Sequence, residues 1–476
     1  MKATLNTAPD SVPAAEDAEA SWIRRRRDAM VASWQGYYLD FIDIFAPVIA
    51  LAPALAFFSG PEMSSADKTM IFYLSFFATL IGRPLGSLIF GTIADRLGRR
   101  RITLISVAGF TVCTLAIGLL PGYQSVGMLS PVLLVVLRFV DGIFLGGEYT
   151  SATPMAFEYV NKKRRGLFGG VLQGAYPAAY VTVSVVTLVV FAFLPPGGLD
   201  SPYVQWGWRI VFIMSGVASA AFFIYRYRHL PESETWLKTK KVRAPLRQVL
   251  FGDDRRDFWQ TFTLMSGMWF VSAATVSVIP SILTDTYGFS SAVTTWTLLI
   301  THLAVAVVFV LVGALSQVTG RRPMIVGLGV VVGTVSATLW GVFASGVVTS
   351  PIAVAVLVCL TAVTAIAPFG ISTTYCNERF PTAVRSTGFG VAYSLSIVIP
   401  SLFPFYSLLV GALIPVVYTT AVCYVLAGLL MVVGALWGPE TRDVELGTAP
   451  SARKLDYIAT TSDLATVNST ELEDNS

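Results

Sequence analysis

The stretch "GTIADRLGRR" at residues 91–100 decides the fold, because a second version of it, "GALSQVTGRR", stands at 313–322. Each version follows a long apolar segment, begins with glycine and ends in Gly-Arg-Arg. A polar loop that recurs at matching places between apolar segments is the mark of an internal repeat. The sequence therefore predicts two duplicated halves that share one orientation.

Other motifs recur at matching positions of the two halves. They are Glu158 followed by Arg165, Glu378 followed by Arg385 at the same spacing, and the motifs "PESE" (231–234) and "PETR" (439–442). Each of them comes after an apolar segment, as the first repeated loop does. The duplication thus extends over most of the chain.

Composition places most of the chain in lipid. Of its 476 residues, 54% are hydrophobic and 13% charged, whereas soluble domains contain about 25% charged residues. A membrane-spanning helix needs about 20 mostly apolar residues. Twelve segments meet this criterion, near 31–58, 70–93, 102–120, 131–155, 167–193, 207–226, 258–280, 293–316, 323–345, 351–374, 386–410 and 412–437.

The basic residues orient these spans. Lys68 and Arg209 fall on or near one side, Arg83 and Arg138 fall within spans, and the other Lys and Arg residues fall on the opposite side. Because cytosolic loops carry an excess of Lys and Arg, we expect both termini in the cytosol. The net charge of +4 therefore reflects topology, and no nucleic-acid partner is expected.

These observations predict an all-α, multi-pass protein of the cell membrane (plasma or inner), with two pseudo-symmetric six-helix bundles. The expected regions are a cytosolic N-terminal tail (1–30), the N-terminal bundle (31–228), a cytosolic linker (229–257), the C-terminal bundle (258–440) and a disordered cytosolic C-terminal tail (441–476). The linker alternates basic and apolar residues, which predicts interfacial helix. The C-terminal tail is acidic and rich in Ser and Thr, a composition typical of disorder.

Several stretches carry a family resemblance. The loop at 91–100 resembles the signature loop of the major facilitator superfamily. Five stretches resemble the metabolite:proton symporter family of that superfamily. They are "YLDFIDIF" (38–45), "IGRPLGSLIFGTIADRLGRR" (81–100), "LLPGYQSVGMLSPVLLVVLRFVDGIFLGGEY" (119–149), "WGWRIVF" (206–212) and "ERFPTAVRSTG" (378–388). The resemblance implies the facilitator fold, with alternating access to a cavity between the halves. It also implies proton-coupled uptake of a small organic carboxylate, without cofactor or metal.

The resemblance further implies a cytosolic gate that stabilises one access state. Its residues would be Gly91, Asp95, Arg96, Gly98, Arg99, Arg100, Glu158, Arg165, Glu378 and Arg385. The alternative is that these residues serve only orientation and folding. The second-half loop departs from the pattern, because Gln317 stands where the first loop has Asp95.

Charged residues within the N-terminal spans are the strongest functional signal. They are Asp40 and Asp43 on span 1, Arg83 on span 2, and Arg138, Asp141 and Glu148 on span 4. At about 1.5 Å rise per residue, the two aspartates of span 1 reach a depth comparable to that of Arg83, so a pair is expected there. Arg138 and Asp141 share a helix face and are also expected to pair.

Charges persist in a membrane if they pair, face a watery cavity or become protonated. We predict that the four carboxylates are proton-coupling residues and that the two arginines bind substrate, because a guanidinium binds a carboxylate bidentately. A substrate carboxylate that competes for an arginine would release an aspartate to take up a proton. The alternative is a static salt bridge, with Asp141 or Glu148 only balancing Arg138.

Other residues of the spans are candidates for lining the substrate cavity. They are Tyr37, Gln173, Tyr176, Trp269 and His302. The alternative is packing, since aromatic side chains within spans more often only pack and His302 can be a packed polar contact.

Small residues spaced four apart predict close helix packing. They are Gly82 with Gly86, Gly142 with Gly146, and Gly166 with Gly170 and Gly174.

Two further functions compete with carboxylate symport: proton symport of a zwitterionic osmolyte such as betaine or proline, and a non-transporting receptor with the same fold. An enzyme is not expected, because the chain has two histidines and no metal cluster, phosphate loop or nucleophile elbow in its sequence. The four cysteines have no metal or redox spacing. The expected partners are a small organic anion, protons and membrane lipids, and the expected functional unit is a monomer.

Overall fold

The computed structural model describes residues 12–60 and 62–446. The predicted N-terminal tail up to residue 11 and the predicted disordered tail beyond 446 lie outside the described residues. Within the described part of the chain all regular structure is helical, without a β-strand. We number the spanning segments 1 to 12 in chain order.

The N-terminal half consists of six continuous spans. Their helices are Val12–Phe45 continued by the π-helical turn Ala46–Leu51 and the 3₁₀ segment Ala52–Phe58, then Ser65–Leu97, Arg99–Gly118, Leu129–Tyr159, Arg165–Gln173 with Ala175–Phe193, and Tyr203–Gly207 (π) with Trp208–His229. A short helix, Tyr123–Val126, lies between spans 3 and 4.

The linker and the C-terminal half follow the same plan. The linker contains the helices Glu234–Lys238 and Pro245–Phe251. Span 7 is Arg255–Ser281 with Ile282–Thr286 (π), span 8 is Ser291–Thr319, and span 9 is Arg321–Val331 with Val332–Ser336 (π) and Ala337–Ala344. Span 10 is Pro351–Ile366 with Phe369–Arg379, span 11 consists of Arg385–Leu395, Val398–Ser401 and Phe403–Gly411, and span 12 is Val416–Tyr418 (3₁₀) with Thr419–Trp437.

Span 1 begins earlier than the sequence predicts. Its helix starts at Val12 rather than near residue 31, because the intervening residues are mostly alanine, glutamate and arginine, which are strong helix formers. Ala29 on this extension packs against Met155 of span 4. Part of the predicted N-terminal tail is therefore a packed helix.

Span 11 is interrupted. Among the described residues, eleven helices are long and apolar enough to cross a membrane, and the predicted span 386–410 is absent from them because it divides into three shorter helices. The first break follows Leu395, one turn before Pro400. Proline has no N–H to donate to the carbonyl four residues earlier, here Ser396, and its ring clashes with that carbonyl.

Glycines set the spacing between helices, as predicted. A Cβ at Gly82 would meet the backbone of span 4, and a Cβ at Gly146 would meet the backbone of span 2. Gly166 and Gly170 of span 5 face the backbone of span 8 in the other half. Gly174 differs, because the nearest atoms to its Cβ position belong to its own preceding turn. The first four glycines thus allow contacts that a side chain would prevent.

Candidate functional site

Asp40 and Arg83 form a buried ion pair between spans 1 and 2. Their exposed fractions are 4% and 2%. The matching depths predicted from the sequence are therefore confirmed for this pair. The pair joins two antiparallel helices of the same half.

Arg138 stands between two carboxylates. Its Nη1 lies 2.6 Å from Oδ1 of Asp43 and 3.3 Å from Oδ2 of Asp141, and Nη2 donates to the Asp43 carbonyl at 3.2 Å. The pairing with Asp141 was predicted, whereas the one with Asp43 was missed. Each carboxylate keeps one buried oxygen that accepts no hydrogen bond from the described residues.

Glu148 pairs with Arg226 of span 6, with Nη1 2.8 Å from Oε1. Arg226 also donates to the carbonyl of Ala32 on span 1. The interpretation that Glu148 balances Arg138 is therefore wrong. Arg226 sits in a run of basic residues at the end of span 6, which the sequence reading assigned to the cytosolic surface, yet it is fully buried.

These seven residues form one buried charge cluster inside the N-terminal half: Asp40, Asp43, Arg83, Arg138, Asp141, Glu148 and Arg226. Four carboxylates face three guanidinium groups in it. With every group ionised, the cluster carries one negative charge in excess. An uncompensated charge is costly inside a membrane protein.

A small cavity lies between the two halves. Its walls are Phe41, Gln173, Tyr176, Trp269, Ser272, Phe309, Ile366 and Phe369. Three predicted cavity residues, Gln173, Tyr176 and Trp269, are among them. The Gln173 amide also donates to Oγ of Ser372 in the opposite half, at 2.7 Å. The structure thus brings these three residues together where the halves meet.

The other predicted substrate-binding residues lie outside this wall. Arg83 and Arg138 are occupied by the ion pairs of the buried charge cluster. Tyr37 packs on Phe41 and Tyr149, with ring centroids at 5.9 and 6.4 Å. In this closed arrangement the cavity therefore carries no guanidinium of its own.

His302 forms an aromatic stack beside the cavity. Its ring lies parallel to Tyr180, with centroids 3.6 Å apart, and next to Tyr176 at 5.6 Å. Nδ1 lies 2.7 Å from the carbonyl of Leu298, and because a carbonyl only accepts, that nitrogen carries a proton. Nε2 is buried and makes no hydrogen bond with the described residues. Because Tyr180 and His302 belong to different halves, the stack joins the halves.

Asp95 of the predicted gate bonds to the other half. Its carboxylate accepts backbone N–H groups of Ser386 and Thr387 at 3.2 and 2.8 Å, and the Thr387 hydroxyl at 2.8 Å. These groups lie in the first turn of span 11, where backbone N–H groups have no helical partner. Gly91 packs against the same turn.

Glu158 connects the remaining gate residues of the first half. Arg99 lies 2.6 Å from its Oε1, and Arg385 of span 11 pairs with the same oxygen. Arg96 is exposed. Arg100 donates to the carbonyls of Tyr227 and Leu230 at the end of span 6.

The second-half gate residues bond differently. Glu378 pairs with Arg321 at 3.2 Å, and Arg165 donates to the carbonyl of Val444 at 2.5 Å. Gln317 takes the place of Asp95 without a charge, because its Oε1 accepts the N–H of Gly166 at 3.2 Å. The departure at Gln317 therefore keeps a contact between the halves.

Two glutamates that were not predicted as site residues, Glu232 and Glu440, cap the helices that follow the same loops. Glu232 of "PESE" accepts the backbone N–H groups of Arg99 and Arg100, and Glu440 of "PETR" accepts those of Arg321 and Arg322. The repeated Pro-Glu motif was the signal that could have found them. Gly98 and Gly320, with φ of +111° and +95°, make the turns that precede these capped helices.

Comparisons with known proteins agree with this architecture. The family model described as Major Facilitator Superfamily matches residues 36–404. An inner membrane metabolite transport protein of Escherichia coli, YhjE, is 27% identical over 83% of this chain and 89% of its own length. The proline/betaine transporter of Escherichia coli is 25% identical over 79% of this chain and 76% of its own length.

A solved structure shows the same fold. The proton:xylose symporter XylE, bound to 6-bromo-6-deoxy-D-glucose, aligns with a TM-score of 0.70 at 18% identity, over 91% of this chain and 99% of that chain. The family match and the related transport proteins make this chain a multi-pass membrane transporter and not an enzyme. The chain belongs to the major facilitator superfamily.

Proposed function

We propose that this protein takes up a small metabolite bearing a carboxylate group together with protons. It would work by alternating access as a monomer in the plasma or inner membrane, with both termini cytosolic. The observation that carries the proposal is the unequal charge of the buried cluster, with four carboxylates and three guanidinium groups.

A proton would neutralise that excess charge. Asp43 and Asp141 share one guanidinium, that of Arg138, so one of the two carboxylates is the natural place for the proton. Two carboxylates at one site disfavour simultaneous ionisation. Loading and release of this proton would change the charge of the N-terminal half between access states.

The substrate carboxylate is the second part of the proposal. When the halves part, a carboxylate entering beside Gln173 would compete with Asp40 for Arg83, and Asp40 would then favour a proton. Proton binding and anion binding would thus promote one another, as linkage requires. A relative named for a carboxylate substrate supports this part of the proposal: the shikimate transporter of Escherichia coli is 31% identical over 40% of this chain and 43% of its own length.

The cavity wall favours a second candidate, a zwitterion such as betaine or proline. Five of its eight residues are aromatic: Phe41, Tyr176, Trp269, Phe309 and Phe369. Aromatic faces attract quaternary and other organic cations, and none of the eight wall residues is Lys or Arg. The proline/betaine transporter among the relatives has this kind of substrate.

Uptake into vesicles tests the proposal. Radiolabelled shikimate, 2-oxoglutarate, glycine betaine and proline would be supplied one at a time, at several external pH values, with and without a protonophore. We expect acid-stimulated, protonophore-sensitive uptake of one probe. Asp43→Asn should abolish the pH dependence, whereas Asp200→Asn, which changes an exposed aspartate, should preserve it.

The outcomes separate the candidates. Accumulation of shikimate or 2-oxoglutarate favours the organic anion, and accumulation of glycine betaine or proline favours the zwitterion. If the uptake rate does not depend on pH and is unchanged by Asp43→Asn, the cluster is a structural ion-pair network and the protein is a uniporter. Binding of a probe without uptake would favour the receptor.

A further inference from the structure

The break in span 11 takes the backbone carbonyl of Tyr393 out of the helical pattern. In a continuous helix the carbonyl of Tyr393 would accept the N–H of Ile397. Here the Ile397 N–H bonds instead to Ser394 at 3.2 Å. The Tyr393 carbonyl accepts the indole N–H of Trp269 at 2.9 Å and the Ser396 hydroxyl at 2.9 Å. The break is thus held by a side chain from span 7.

Trp269 connects this carbonyl to the cavity. It is one of the wall residues, and its ring stacks edge-to-face on Phe369 of the same wall at 5.2 Å. The Tyr393 ring also meets Trp269 edge-to-face, at 5.2 Å. A molecule that displaces Trp269 from the cavity would therefore break its bond to the Tyr393 carbonyl.

The next residue, Ser394, connects span 11 to the N-terminal half. Its hydroxyl donates to the Gly390 carbonyl at 2.7 Å and lies within hydrogen-bonding distance of the hydroxyls of Ser87, at 2.6 Å, and Tyr149. All four groups are buried. Three hydroxyls from spans 2, 4 and 11 thus meet at one point between the halves.

The hydroxyl cluster adjoins the buried charge cluster. Ser87 lies one helical turn from Arg83 on span 2, and Tyr149 follows Glu148 on span 4. The Tyr149 hydroxyl is within electrostatic reach of both Arg83 and Asp40. A change of charge at the Asp40–Arg83 pair therefore alters the field at the group that holds Ser394.

We propose that residues 393–396 of span 11 are the element that couples the cavity to the buried charge cluster, with Trp269 and Ser394 as its positioning residues. Tyr393 and Ser394 are adjacent, so a backbone shift at one moves the other. When the Trp269 indole no longer donates to the Tyr393 carbonyl, that carbonyl can accept the Ile397 N–H and close a helical turn. That turn would draw Ser394 away from Ser87 and Tyr149. This inference rests on the proposed proton-coupled function.

Hydrogen exchange of the full-length protein in nanodiscs, without substrate, tests the coupling. Peptides covering 385–402 would be followed at pH 6 and pH 8 after correction for intrinsic exchange rates. In the wild type we expect protection of residues 393–402 to differ by about fivefold between the two pH values, the size expected for one hydrogen bond. The Ser394→Ala variant should remove that difference.

Matched controls are available in the same spans. Ser401→Ala removes a hydroxyl that, among the described residues, bonds to the Val398 carbonyl of its own helix, and it should keep the wild-type difference. Trp269→Phe removes the indole N–H, so the Tyr393 carbonyl is free to accept the Ile397 N–H, and exchange of 393–402 should fall at both pH values. Trp259→Phe changes a half-exposed tryptophan at the other end of span 7 and should leave that exchange unchanged.

Three results would overturn the coupling: protection in the wild type that does not depend on pH, a Ser394→Ala variant that behaves as Ser401→Ala does, or a Trp269→Phe variant that behaves as Trp259→Phe does. Faster exchange throughout the molecule in Ser394→Ala would show that this variant is destabilised as a whole. Ser394→Thr is then used, because it retains the hydroxyl and should retain the pH difference. Loss of the difference in Ser394→Thr would also count against the proposal.

The uptake experiment distinguishes this failure from failure of the proposed function. If the wild type shows acid-stimulated uptake while residues 393–402 exchange independently of pH, the symport stands and the coupling element lies elsewhere. If uptake ignores pH, the proton-coupled function itself fails, and the inference fails with it.

Discussion

Glu158 of span 4 and Arg385 at the start of span 11 form a buried ion pair across the two halves. Each belongs to a repeated Glu…Arg motif, yet the equivalent residues Arg165 and Glu378 do not pair with one another: Arg165 donates to Val444, and Glu378 binds Arg321. The duplicated motifs are therefore used asymmetrically. On the side of the molecule that carries the predicted gate, the Glu158–Arg385 ion pair joins the halves together with the contacts of Asp95, Arg165 and Gln317.

Glu158→Gln should open the cytosolic side. The substitution leaves Arg99 and Arg385 without their shared carboxylate, and removing one partner of a buried ion pair costs about 3–5 kcal/mol. Thr374 reports the opening, because its hydroxyl bonds to the Arg165 carbonyl in the closed contact, at 3.3 Å. In a cysteine-free background, alkylation of Thr374→Cys from the cytosolic side should accelerate at least about tenfold with Glu158→Gln.

The matched control for this gate is Glu234→Gln. Glu234 pairs with Arg25 on the surface, where both side chains are about two-fifths exposed, and such pairs contribute little. Equal alkylation rates in the two variants would show that Glu158 does not hold the gate closed.

Arg226→Met should destabilise the protein strongly, because it leaves Glu148 buried without its partner. We expect a loss of about 3–5 kcal/mol in the free energy of unfolding. The double variant Glu148→Gln/Arg226→Met should recover most of that loss. Thermal unfolding in detergent measures both, with Arg228→Met at an exposed position as the control. A single variant as stable as the control would mean that the pair is not structural.

Gly170→Val should prevent the closed cytosolic contact. A Cβ at Gly170 would meet the Phe309 carbonyl of span 8, so a valine must push spans 5 and 8 apart. Spin labels are attached at Leu167 and Leu315, which are both exposed. The distance between the two labels, measured by electron paramagnetic resonance, should be longer in the variant. Gly341→Val, at a position with nothing within 4 Å, should leave the distance unchanged. An unchanged distance in Gly170→Val would contradict the predicted role of the glycine.

Asp254→Asn should stabilise the protein at high pH. Burial raises the pKa of Asp254 from 3.8 to about 6, although a hydrogen bond from Gln248 opposes the shift. Because the folded-state pKa lies above the unfolded one, the penalty is fully present above about pH 6 and fades as the pH falls toward 4. The gain should reach up to about 3 kcal/mol at pH 8 and be small at pH 4.

The measurement is thermal unfolding in detergent across this pH range. Asp253→Asn, at the neighbouring exposed position, is the control and should change stability little at either pH. A gain from Asp254→Asn that does not depend on pH would show that the carboxyl is not the origin of the effect.

The sequence by itself determined the class of fold. Apolar length, basic loops and repeated motifs are local properties, so they located twelve spans, and in the described chain eleven of them are long and apolar enough to cross a membrane. A pair between Arg83 and one of the two span 1 aspartates also followed from the sequence, because depth along antiparallel helices depends only on residue counts, but the choice of Asp40 over Asp43 did not. A break in span 11 follows from Pro400, although the sequence reading placed a single span there.

Only the tertiary structure decided which charged residues meet. An α-helix turns by about 100° per residue, so the neighbour that a side chain faces depends on the rotation and tilt of each packed helix. That is why Arg138 binds Asp43 as well as Asp141, why Glu148 binds Arg226, and why Trp269 reaches the Tyr393 carbonyl. The excess charge of the cluster is visible only once these partners are known.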